Sequence, residues 1–301
     1  MSPRRIVVGF VLAVAMSSPV FAQWPLWMPS GVPMTADGKP DLNAPARRTA
    51  DGKPDLSGVW ETMPPPRAAG AGTEPGAGTT ASRVADAPAP GVPGPAAAPA
   101  PVPSGSVFGN VGAQVPGGAP YQPWAAELVK QRMADNSKDN PDAHCLPMGV
   151  MQMTSHPFPR KIVQTPTEIL IIYEASGTTV REVFLDGRPL PPPDAQPWWN
   201  GYSIGRWEGD TLVVETARFL DDGWLDVRGS PLTSAGKLIE RYRRPTYGTL
   251  EIEVTIDDPK AYTKPFTAKV TNRLLIDSQL IEFVCLDKDA PHYVGAEYNK
   301  K

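Results

Sequence analysis

After Lys161 the chain alternates apolar and polar residues with a period of two, in short runs separated by turn-forming residues. Successive side chains of a strand point to opposite faces, so this pattern builds half-buried β-strands and leaves no place for the helices that a parallel sheet needs between its strands. Residues 161–164, 168–173 and 178–185 are three such runs, parted by Thr165-Pro-Thr167 and Ser176-Gly177. Residues 201–207 and 211–216 flank Glu208-Gly-Asp210 and read as a hairpin. A second hairpin joins 238–243 to 249–256 across 244–248. In its second strand Leu250, Ile252, Val254 and Ile256 face one way and Glu251 and Glu253 the other. Residues 266–275 and 280–286 make a last pair. With a first strand at Gly58-Val-Trp60, about nine strands joined by hairpin-length connections are expected. The fold class is mainly β: an antiparallel barrel or a tightly curved sandwich.

The N-terminal half is of another kind. The 301 residues include 37 Pro and 27 Gly, about one residue in five. Much of this excess lies in residues 64–120, which are Ala, Gly, Pro and Thr with few charges and too little apolar surface to offset the entropy of ordering them. That stretch is expected to be a disordered insert. Behind it, residues 123–135 form one packing helix, with proline in the first turn and a stripe of Trp124, Leu128 and Arg132 beside Ala125, Val129 and Met133. An octapeptide, Thr35-Ala-Asp-Gly-Lys-Pro-Asp-Leu42, returns unchanged as Thr49 to Leu56. Two copies this short do not make a solenoid and read as a local duplication. The chain thus divides into 1–22, a 23–63 extension with the first strand, the 64–120 insert, and a 121–301 helix-plus-β domain.

Residues 1–22 have the form of a secretory signal: Arg4 and Arg5, an apolar run over 6–16, and Val20-Phe-Ala22 before Gln23. The run is too short to span a bilayer, so a periplasmic or secreted protein without a transmembrane segment is expected after its removal. In an oxidising compartment the two cysteines, Cys145 and Cys285, are expected to form one disulfide. With 29 Lys and Arg against 32 Asp and Glu, the chain has no basic footprint for nucleic acid.

Two motifs carry a resemblance. Asp55-Leu-Ser-Gly-Val-Trp60 resembles the Gly-x-Trp opening strand of calycin barrels, the lipocalin and fatty-acid-binding group, where the Trp plugs the closed end. The stretch Gly201-Tyr-Ser-Ile-Gly-Arg-Trp-Glu-Gly-Asp-Thr-Leu-Val-Val-Glu-Thr216, with Cys145-Leu-Pro147, Asp186-Gly-Arg188 and Ile256-Asp-Asp-Pro259, resembles an uncharacterised family of exported bacterial β-rich proteins. That family has no assigned activity, so the resemblance implies export and a β fold and no chemistry.

No nucleophile elbow, zinc-protease helix, phosphate loop or dinucleotide fingerprint occurs, and no cofactor is expected. The candidate ligand-binding residues are polar or aromatic groups on the expected strands: Arg181, Trp199, Tyr202, Arg206, Glu215 and Glu240. If Tyr202, Ile204 and Arg206 face inward, Arg206 meets Glu215 or Glu240 inside the barrel and holds a polar ligand group or moves a proton; otherwise they line the wet outer face. Trp198, Trp199, Tyr202, Trp207 and Trp224, around the proline-rich 188–197 loop, form either an aromatic mouth for a ring-bearing ligand or a plug. The Met and His residues of 144–156 suit copper, or simply fill core. The leading reading is a barrel that binds a small, partly apolar molecule. The alternatives are an acid-base enzyme built on an Arg and carboxylate pair, and a structural or partner-binding envelope protein.

Overall fold

The computed structural model describes residues 28–64, 106–175, 179–281, 283 and 285. The signal-like residues 1–22 and most of the insert, 65–105, lie outside the described residues.

Nine strands close into one barrel, so the sandwich alternative falls away. They are β1 (Gly58–Thr62), β2 (Arg160–Gln164), β3 (Glu168–Tyr173), β4 (Val180–Phe184), β5 (Tyr202–Glu208), β6 (Thr211–Ala217), β9 (Lys237–Thr246), β10 (Thr249–Asp257) and β11 (Phe266–Leu275). Around the ring they stand in chain order, with β11 returning to β1. The short strands β7 (Gly223–Trp224) and β8 (Pro231–Leu232) pair separately.

An odd number of strands cannot alternate direction all the way round a closed ring. One neighbouring pair must run parallel, and it is β4 with β5, joined by only Val183↔Ser203 and Phe184↔Ile204. A parallel return needs a connection of a dozen or more residues. Residues 185–201, with their prolines, supply it. This seam is the short ladder of the barrel, whereas β5 and β6 share a full hairpin register from Tyr202↔Ala217 to Glu208↔Thr211.

The expected last strand over 280–286 is not formed: residues 280, 281, 283 and 285 carry no strand, and the others are not described. The free edge of β11 is already taken by β1, which pairs Trp60 with Leu274 on one side and with Arg160 of β2 on the other. Trp60 therefore closes the barrel although about a hundred residues separate it from β2. Nine strands with a parallel seam also differ from the eight of lipocalin barrels.

The duplicated octapeptides stop one mouth of the barrel. Both fold into the same tight loop, in which Thr35 and Thr49 donate backbone N–H to Lys39 and Lys53, and Gly38 and Gly52 take positive φ. After the first copy, the carbonyls of Leu42 and Ala44 receive the N–H groups of Gly248 and Tyr247, capping the β9–β10 turn. Gly248 permits this approach, because a Cβ there would stand 2.5 Å from that of Leu42. In the second copy Leu56 is buried, bonds through its N–H to Gln164, and accepts the Trp60 indole N–H at 2.9 Å.

Helices gather towards the opposite end. The expected helix is α1 (Pro123–Ala134), but of its stripe only Ala125 and Val129 are buried, while Trp124 and Met133 are about half exposed (48% and 46%). It docks through polar contacts instead: Trp124 Nε1 donates to Lys260 O and Arg132 to Gly229 O, with the Arg132 guanidinium over the Trp224 ring. A second helix, α2 (Val150–Ser155), was not expected; all six of its residues are buried. The 106–120 end of the expected insert is folded as well. Val111 is buried and donates its N–H to Asp226, and Phe108 O accepts from Val227. Cys145 and Cys285 are joined, with Cα atoms 5.6 Å apart.

Candidate functional site

The inner face of the barrel carries a buried polar strut. Arg181 on β4 reaches across two strands: its Nε donates to Ser203 on β5 at 3.1 Å, Nη2 to Thr216 on β6 at 2.7 Å, and Nη1 to Glu240 on β9 at 3.0 Å, with a second, shorter Nη2 contact to that carboxylate. Tyr242 donates its hydroxyl to Glu240 at 2.9 Å, and the Ser203 and Thr216 hydroxyls share a bond. Burial opposes the Arg181 charge, but the Glu240 carboxylate outweighs it and holds the guanidinium well above its ordinary pKa. Burial and the same carboxylate push Tyr242 well up. The strut ties β4 to β5, β6 and β9 where the ladder is short.

Of the six candidate residues, the structure joins Arg181 with Glu240 and sends the rest elsewhere. Arg206 lies outside, 62% exposed and paired with Glu208 at 2.8 Å; Glu215 lies outside with Lys237 at 2.8 Å. Neither the Arg206–Glu215 nor the Arg206–Glu240 pairing forms, because Arg206 stands opposite Val213 and the inward face of β5 is the one that carries Ser203. Tyr202 stacks on Phe184 across the parallel seam at 5.2 Å, with Trp198 against it and Arg188 over Phe184 at 3.9 Å. This aromatic set brackets the seam from outside as Arg181 does from inside, rather than forming a mouth. Trp199 is half-buried and donates to Pro147 O. Met148, Met151 and Met153 are core side chains, and no cluster of three or more potential His, Cys, Asp or Glu metal ligands occurs among the described residues.

Sequence reasoning passed over Arg160, whose place in β2 one alternation from the inward Ile162 was the available signal. It is 2% exposed and donates to the carbonyls of Thr154 and His156 and to the Thr62 hydroxyl, fixing the end of α2. Among the described residues no carboxylate pairs with it, and burial lowers its pKa. His156 beside it accepts the Phe158 N–H at Nδ1, 3.0 Å, and its ring meets Phe108 and Phe158 edge-on. Burial and then the Arg160 charge push its pKa down to about 3 from 6.5. Above pH 6.5 the imidazole is neutral in both folded and unfolded chains. Below it the unfolded chain takes a proton that the folded one refuses until about pH 3, so this contribution to stability is lost as pH falls through that window. His156→Gln is therefore expected to shrink its stability deficit against the wild type by about 2 kcal/mol between pH 6.5 and about pH 5, read from urea unfolding at each pH. A deficit independent of pH would contradict the assignment.

Among the described residues the inward side chains pack closely against one another. A ligand cavity would leave its lining accessible, whereas Trp60, Val183, Val214, Thr216, Leu238 and Glu240 are 0% exposed. A cleft of about 720 Å³ opens on the barrel flank. One wall is β1 and β11 with Val59, Leu274 and Leu275; the other is the strandless 276–281 segment, which Glu174 holds by accepting the Ile281 N–H at 2.9 Å. Its floor near the stopped mouth carries Arg47, Asp55 and Arg244. A smaller hollow of about 270 Å³ lies beside Arg48, Asp210 and Arg243.

Fold and cleft together define a closed β-barrel with a filled interior and a mixed apolar and charged groove outside it. Comparison with protein families, with curated proteins and with solved structures finds no match to this chain. Among the described residues no helix is long and apolar enough to cross a membrane.

Proposed function

We propose that this is an exported barrel protein that binds a small, partly apolar ligand in the flank cleft rather than in the barrel interior. The observation that carries the reading is the cleft itself: its volume falls in the range of small-molecule sites, and its walls are mainly apolar with a few convergent charges. Export rests on the signal-like residues 1–22 and is consistent with the Cys145–Cys285 bridge. The resemblance to exported bacterial β-rich proteins points the same way.

The enzyme alternative has lost its proposed pairings, since Arg206 meets neither carboxylate and the Arg181–Glu240 pair is closed off by Ser203, Thr216 and Tyr242. The filled interior favours the structural envelope role as the second reading. Native mass spectrometry of protein purified from its own cell envelope separates the two. An adduct of small organic mass is expected, and it should be lost in Val59→Trp, which fills the cleft from the edge of β1. A bare chain that also binds no amphiphile in titration would sink the cleft reading and leave the structural one.

A further inference from the structure

From the charges of the cleft we infer that its ligand is an amphiphilic anion, an apolar body with one anionic head; this rests on the cleft being the binding site. Three cations border the cleft, Arg47, Lys161 and Arg244, against two acids, Asp55 and Asp277. Arg244 is 6% exposed, and its guanidinium spends its donors on carbonyls, Nε and Nη2 on Tyr247 O and Nη1 on Asp55 O. Among the described residues no carboxylate forms an ion pair with it, and it lies over the Trp60 ring at 4.9 Å and the Tyr247 ring at 5.1 Å. Arg47 and Lys161 form no ion pair among the described residues. The acids are engaged locally: Asp55 accepts the Ser57 N–H at 2.9 Å and Asp277 the Ser278 hydroxyl. The Asp55 charge favours the Arg244 cation without forming an ion pair with it, so an arriving anion adds a direct partner there while pairing with the two exposed cations. Leu274, Leu275, Ile276 and Leu280 continue from the charged end as the surface for the apolar body.

Three probes with one tail and different heads test this: decanoate, decanol and decyltrimethylammonium, titrated calorimetrically into the full mature chain at neutral pH. Decanoate is expected to bind about 10-fold more tightly than decanol, the equivalent of about 1.4 kcal/mol, and the trimethylammonium probe more weakly than either. The preference should shrink as salt screens the head group. In the double variant Arg47→Gln with Lys161→Gln, which removes two exposed and unpaired side chains and so spares the fold, decanoate should fall towards decanol while decanol stays unchanged. Equal binding of decanoate and decanol, tightest binding of the cation, or an unaltered preference in the variant would overturn the anionic head and leave the cleft as an apolar site. No binding of any probe would overturn both the head-group assignment and the cleft.

Discussion

Replacing Glu240 by alanine is expected to destabilise the protein by about 3–5 kcal/mol, because it leaves the Arg181 guanidinium buried with no opposing charge. The two side chains are 2% and 0% exposed, so water cannot substitute for the lost carboxylate. Ser203 and Thr216 still accept two of the donors, but neutral hydroxyls do not offset a buried cation. Urea denaturation measures the loss as a lower midpoint at unchanged slope. The double variant Arg181→Met with Glu240→Leu removes both charges and fills the space with apolar side chains. It should cost far less than the single change, since an isosteric apolar pair often replaces a buried ion pair at little cost. The location of the damage is also specific. The parallel β4–β5 seam has two register pairs and depends on Arg181 to tie it to β6 and β9. Amide exchange should therefore quicken first in 180–184 and 202–204. The stable double variant should bind decanoate as the wild type does, which separates the strut from the cleft. A single change costing under about 1 kcal/mol would show that the pair does not hold the barrel together.

Period-two alternation made the strands legible because the inner face is continuous and apolar over most of the ring: Leu250, Ile252, Val254 and Ile256 are all buried as the pattern requires. The same signal misled over 280–286, where apolar residues alternate but no edge remains for them, since β1 arrives from far away to pair with β11. Alternation reports a half-buried segment and is silent on which edge is vacant. The direction of β5 illustrates the second limit. Tyr202, Ile204 and Arg206 share a face, but which face points inward depends on register, and a slip of one residue exchanges the two sets. The inward choice puts the small Ser203 against Arg181 and Gly205 where a Cβ would stand 2.7 Å from Leu185. Both residues of the buried pair, Arg181 and Glu240, were among the candidates, but the pairing expected from the sequence was that of Arg206 with Glu215 or Glu240. The pairing that forms, across four strands, was not readable, because it is set by barrel closure. The cleft was illegible for the same reason: Val59, Leu274 and Ile276 meet only once the ring is shut and the 276–281 segment lies along it.

Removing the Cys145–Cys285 bridge by Cys145→Ser with Cys285→Ser is expected to cost about 5 kcal/mol, the loop-closure entropy for a sequence separation of 140. The figure depends on what the loop contains. Between the two cysteines lie β2 through β11, so the bridge restrains eight of the nine barrel strands in the unfolded chain and leaves outside it only β1, which stands between β11 and β2 in the ring. A bridge that merely pinned a tail would restrain little, and its loss would release residues 276–285 without moving the main transition. The two cases separate in a single denaturation experiment. If the loop enclosing the barrel matters, the variant unfolds at a lower urea midpoint and with a steeper slope, since its unfolded chain is no longer held compact and exposes more surface. If the midpoint holds and only exchange in 276–281 quickens, the bridge serves the cleft wall alone. The first outcome is expected, because the native ends of the loop are fixed independently of it. Cys145 follows the turn Pro141–His144, and the Ile281 N–H is held by Glu174 four residues before Cys285, so the bridge joins two positions that the folded barrel already brings together.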